Sequence, residues 1–126
     1  MTPTVLVGED EPFFQEAVQW VLQSHGVNVI LARDGDAVIA SLRRDKPDLL
    51  LLDLVMPGTD GFAVLEHMRR EGIKVPTIVL SNLSEDIDTE TCAALGVRRH
   101  CVKSDMDIDD LWPVVRECLP ASLATS

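Results

Sequence analysis

The sequence predicts an α/β fold: one five-stranded parallel sheet with helices on both faces, in the strand order 2-1-3-4-5. Three observations lead there. Five short apolar runs alternate with five stretches of helical periodicity, as chains of βαβ units require. The first, third and fourth runs are almost wholly apolar, which suits strands covered on both faces. The other two carry polar residues, Asn28 in the second and Arg98, Arg99 and His100 in the fifth, so they belong at the sheet edges.

The elements follow in order. Thr4–Gly8 is the first strand. Pro12 fits the first turn of the first helix, and Phe14, Ala17, Val18, Val21 and Leu22 then line one face. Val27–Leu31 is the second strand, and Asp34 caps the second helix. Leu49–Asp53 is the third strand. Asp60 caps the third helix, which turns Gly61, Val64, Leu65 and Met68 inward and ends at Gly72. Thr77–Ser81 is the fourth strand. Ser84 caps a fourth helix that ends at Gly96 and is the most polar of the set, with Glu85, Asp86, Asp88 and Glu90; so few apolar anchors predict low local stability. Val97–Val102 is the fifth strand. The fifth helix turns Ile108, Leu111, Val115 and Leu119 inward, and Pro113 makes it start late or kink near 109–113. The whole is a flavodoxin-like (βα)5 three-layer sandwich. Residues 1–120 are expected to form one domain, and 121–126, which lack periodicity, a tail or the start of a linker.

Composition narrows the function. The 126 residues hold 11 Lys and Arg against 21 Asp and Glu, a net charge of −10. Such a chain lacks the basic footprint of a nucleic-acid binder. No apolar run approaches the roughly 20 residues of a membrane span. Cys92, Cys101 and Cys118 are odd in number and form no CxxC pair, which fits free thiols in a reducing cytoplasm. His25, His67 and His100 complete no zinc-ligand spacing.

In an open parallel sheet, sites form at the carboxyl ends of the strands. Here the first strand ends at Glu9, Asp10 and Glu11, the third at Asp53, the fourth at Ser81 and the fifth at Lys103. Taken singly, each has an ordinary explanation. Acids favour helix N-termini, Asp and Ser cap turns, and a lysine is usually solvated. Together they have a chemical logic. Crowded carboxylates repel each other and are relieved by a hard divalent cation such as magnesium. Asp53 can then be both metal ligand and nucleophile toward phosphorus, Lys103 a positive charge for phosphoryl oxygens, and Ser81 a hydroxyl donor.

The segments Val5-Leu6-Val7-Gly8-Glu9-Asp10-Glu11-Pro12, Asp34-Gly35-Asp36-Ala37 and Leu52-Asp53-Leu54-Val55-Met56-Pro57-Gly58-Thr59-Asp60-Gly61 resemble receiver domains of two-component response regulators. Ser81 and Lys103 fall where that family has its hydroxyl switch residue and its lysine. The resemblance implies a phosphoacceptor signalling switch with Asp53 as phosphoacceptor. It implies Mg²⁺ held by Asp10, Asp53 and the backbone carbonyl of Val55, with Glu9 acting directly or through water. It implies a sensor histidine kinase or a histidine phosphotransfer protein as donor, and no enzyme activity beyond self-catalysed transfer and slow autodephosphorylation. The expected output surface is the fourth helix, fifth strand and fifth helix, where acidic Asp86 and Asp88 beside Arg98 and Arg99 suit either a homodimer or an ordinary solvated face.

Departures from the family pattern carry expectations of their own. Ser81 is followed by Asn82, bulkier than the usual small residue. His100 stands where the family often has an aromatic switch residue; the plainer reading is a partly exposed edge-strand histidine. Lys103 precedes Ser104 instead of a cis proline, and a cis bond there would cost about 3 kcal/mol, so a trans bond is expected. Apolar Val55 with Leu83 is expected to limit water access and prolong the phosphorylated state. The alternative function is a phosphorylation-independent interaction module on the same fold. An aspartate-nucleophile phosphatase of the haloacid dehalogenase type would need a second Asp where this chain has Val55.

Overall fold

A computed structural model of the chain describes residues 2–81 and 93–120. Five parallel strands form one sheet: β1 (Thr4–Gly8), β2 (Asn28–Ala32), β3 (Leu49–Asp53), β4 (Thr77–Ser81) and β5 (Val97–Val102), in the order β2-β1-β3-β4-β5. The described α-helices are α1 (Pro12–Ser24), α2 (Gly35–Asp45), α3 (Gly61–Glu71) and α4 (Leu111–Cys118), the last being the fifth helix expected from sequence. Ala93 and Ala94 are helical, and Gly96 follows at φ 87°. The expected cap Ser84, and Asn82, Leu83, Asp86 and Asp88, lie outside the described residues, as does the tail 121–126.

Side-chain alternation divides the sheet into two cores. Val5, Val7, Leu49, Leu51, Ile78 and Leu80 pack with Val18 and Leu22 of α1 and Leu111 and Val115 of α4. Leu6, Leu50, Leu52 and Val79 point the other way, onto Val38 and Leu42 of α2 and Val64, Leu65 and Met68 of α3. The strand residues among them are fully buried, each adding about 1.5–3 kcal/mol relative to exposure. The ring of His25 stacks on Trp112, centroids 4.3 Å apart and planes within 6°, tying α1 to α4.

Two expected boundaries move. The second strand is displaced by one residue, to Asn28–Ala32. Val27 is buried ahead of it and Leu31 is exposed, so on this edge strand the apolar run outlines the strand only loosely. Ile108 sits not in a helix of α type but in a 3-10 turn (Ile108–Asp110), half-buried against the first core, and α4 begins at Leu111. Pro113 therefore lies in the first turn of α4, where its missing N–H costs nothing. The caps fall where expected. Asp34 accepts from the Ala37 N–H at 2.8 Å and Asp60 from the Ala63 N–H at 2.9 Å, and Gly72 closes α3 at φ 68°.

The register places the strand tips together. Gly8 pairs with Leu52, so Glu9 and Asp53 emerge side by side. Leu80 pairs with Asp53, and Ser81 with Val102, the residue before Lys103.

Candidate functional site

Glu9, Asp10 and Asp53 meet at the carboxyl edge of the sheet. One carboxylate oxygen from each lies within 4.8 Å of the others. Glu9 is fully buried, Asp53 is 5% exposed, and Asp10 stands at the solvent edge. Lys103 leans in from a 3-10 turn (Lys103–Asp105), its side chain 6% exposed. Its Nζ donates to Asp53 Oδ2 at 2.9 Å and lies 2.5 Å from Glu9 Oε2, outside hydrogen-bond alignment with it.

Backbone donors hold the carboxylates in place. The Val55 N–H donates to Asp53 Oδ1 at 3.0 Å, and the Glu11 N–H to Glu9 Oε1 at 3.0 Å. Buried Gln15, on the first turns of α1, donates its amide to the Glu9 carbonyl at 2.9 Å. Nothing in the sequence pattern marked Gln15, because its partner is a main-chain oxygen. Two glycines allow the loop after β3 to pack tightly. A Cβ on Gly61 would lie 2.6 Å from both the Asp53 carbonyl oxygen and Leu54 Cα, and one on Gly35 would overlap the Thr59 carbonyl. Thr59 also donates to Asp36 at 2.8 Å. The Asp34-Gly35-Asp36 segment thus serves the site by buttressing that loop.

The electrostatics follow from this crowding. Burial pushes the Glu9 carboxyl above its ordinary range, and the Asp53 charge adds to the effect; Lys103 and the Glu11 N–H only partly offset it. Burial also disfavours the Lys103 ammonium, but Glu9 and Asp53 outweigh that and hold its pKa above the usual value. The three carboxylates are hard oxygen donors, and one buried Glu9 oxygen lacks an aligned hydrogen bond. That set fits magnesium better than a softer ion.

The remaining expected residues are placed less directly. Ser81 ends β4, 2% exposed, and lines an open cleft of about 470 Å³ with Val55, Met56, Asp60 and Phe62. Val55 is 69% exposed. His100 is half-buried on β5, beside Val79. Its Nε2 is sealed from solvent without a hydrogen bond, and burial lowers its pKa. No peptide bond is cis among the described residues, so Lys103–Ser104 is trans. Among the described residues no helix is long and apolar enough to cross a membrane.

Comparison with known proteins agrees with the fold. The family model described as "Response regulator receiver domain" matches residues 5–116. The chain is 32% identical over 122 residues to the Regulator of RpoS of Escherichia coli, covering 97% of this chain and 36% of that protein. It is 30% identical over 103 residues to the alkaline phosphatase synthesis transcriptional regulatory protein PhoP of Bacillus subtilis, covering 82% of this chain and 43% of that one. The chain thus spans less than half the length of these two relatives. The Francisella response regulator 1452 receiver domain superposes with a TM-score of 0.83 at 26% identity, over 93% of this chain and 96% of that one.

Proposed function

The chain belongs to the response regulator receiver domain family, and on that footing we propose that it is a phosphoacceptor switch acting through Asp53. The observation that carries this reading is the convergence of Glu9, Asp10 and Asp53 around a desolvated Lys103 ammonium. As a receiver domain it is a signalling module and not a turnover enzyme.

The donor is a phosphohistidine on a sensor histidine kinase or a histidine phosphotransfer protein. An Asp53 carboxylate oxygen forms the new O–P bond while the N–P bond of the donor breaks and the imidazole departs with its electron pair. Asp10, Asp53, the Val55 carbonyl and Glu9, directly or through water, would hold Mg²⁺, which would supply positive charge to the phosphoryl oxygens. The Val55 N–H keeps Asp53 Oδ1 oriented. Lys103, already within hydrogen-bond distance of Asp53, is placed to turn its charge to a phosphoryl oxygen. Ser81, at the neighbouring strand tip, offers a hydroxyl to another. Positioning and electrostatics of this kind do most of the work in phosphoryl transfer.

The switch then works by population shift between two states. The phosphoryl group adds about −1.5 to −2 charges and draws Ser81 inward, and His100 turns toward the space left. The readout surface comprises β5 and α4, and it suits either an effector partner or a second copy of the chain. Arg99 joins Glu117 of α4 at 2.7 Å, coupling the two elements.

Incubation with acetyl phosphate and Mg²⁺, read by intact mass, tests the assignment. The native chain gains one phosphoryl group, and Asp53→Asn gains none. A native chain that takes up no phosphoryl group would favour a phosphorylation-independent interaction module instead.

A further inference from the structure

Phe14 lies on the inward side of α1, yet it does more than close the core. It is half-buried at the rim of the first core, in the first turn of the helix that follows Glu9 and Asp10. Its ring centroid is 4.6 Å from Lys103 Nζ. The ammonium is therefore bounded by Glu9, Asp53 and an aromatic face, and almost none of it reaches water.

We propose that Phe14 is a positioning residue for phosphoryl transfer, holding the Lys103 ammonium over the pocket by a cation–π contact. The inference rests on the reading of Asp53 as phosphoacceptor. Both charged partners of Lys103 have other duties in that reaction. Glu9 and Asp53 turn toward the cation, and Asp53 carries the phosphoryl group. Once they do, the ring face is the partner that still holds the ammonium in place. A carboxylate at this position would hold Lys103 as well, but it would repel the incoming phosphoryl oxygens. An aliphatic side chain would fill the space without attracting the charge. The ring quadrupole attracts a cation while carrying no net charge, and the attraction is strongest where water is excluded, as here.

The test compares the native chain with Phe14→Leu and Phe14→Tyr. The first readout is the NMR signal of the Lys103 ammonium protons, taken without any phosphodonor. The second is the rate of phosphorylation against acetyl phosphate concentration with Mg²⁺. The native ammonium signal is expected to be displaced upfield by the ring, the displacement vanishing in Phe14→Leu and returning in Phe14→Tyr. The maximal rate is expected to fall about fivefold in Phe14→Leu and to recover in Phe14→Tyr. In a Lys103→Met background the Phe14→Leu change should have no further effect. An undisplaced native signal, a Phe14→Leu rate equal to native, or a Phe14→Tyr rate as slow as Phe14→Leu would each overturn the proposal. A native chain that takes up no phosphoryl group overturns the phosphoacceptor reading itself. That result differs from native phosphorylation with an unaffected Phe14→Leu, which overturns only the role of Phe14.

Discussion

Lys103 bridges two buried acids that would otherwise repel each other across a poorly solvated gap. Replacing it with Met removes that compensation, and breaking a buried ion pair from one side costs about 3 kcal/mol. Urea unfolding of Lys103→Met in EDTA at pH 8 is expected to show a loss of that order. The loss should shrink with acidity. Burial raises the Glu9 pKa above 4.5, so the penalty for its ionised form is present above the raised value and disappears as pH falls through it and Glu9 takes up a proton. A loss that stays unchanged as pH is lowered from 8 through the range where Glu9 takes up its proton would contradict this. The acids were legible because they end β1 and β3, whose unbroken apolar runs are easy to recognise, and Lys103 because it follows the fifth run, although that run is broken by Arg98, Arg99 and His100. Gln15 and Phe14 were not. Gln15 serves a backbone carbonyl, and Phe14 obeys the same helical periodicity as its core neighbours while its special partner lies at the far end of the chain.

At the level of elements, the site depends on how closely α3 approaches the end of β3. Gly61 opens α3 against the Asp53 carbonyl, where no room exists for a Cβ. Gly61→Ala is expected to lower stability by about 2 kcal/mol through overpacking. It should also slow phosphorylation by acetyl phosphate, because the displaced backbone is the one that carries Asp53 and the Val55 N–H. A variant with native stability and native rate would show that the loop yields without disturbing the carboxylate. The central strands read directly from sequence because two covering layers of helix force unbroken apolar runs, as in Leu49–Leu52. Edge strand β2 lies one residue beyond its apolar run because solvent reaches it, and Asn28 and Leu31 are both exposed. The late start of α4 follows from Pro113, which is tolerated in a first turn and not in the interior.

For the molecule as a whole, the −10 charge is partly concentrated where three carboxylates converge, so a divalent cation should stabilise the fold itself. Magnesium at a hundredfold excess over its dissociation constant would add about 2.7 kcal/mol by mass action. Thermal unfolding is expected to shift upward with MgCl₂ and much less with NaCl of matched ionic strength, and Asp10→Asn should weaken the magnesium response. Identical shifts with the two salts would point to general screening of an acidic surface. Two-core packing on a single sheet also explains why groups remote in sequence meet. The parallel topology carries every strand tip to one edge, and the β2-β1-β3-β4-β5 order puts the tips of β1 and β3 next to each other.

The most direct test is to locate the phosphoryl group. Treating the phosphorylated chain with borohydride reduces an aspartyl phosphate to homoserine, and tandem mass spectrometry then reads the altered position. The account predicts homoserine at residue 53 alone, formed only when Mg²⁺ was present during phosphorylation. Homoserine at position 9 or 10, or labelling at 53 that proceeds equally well in EDTA, would contradict it.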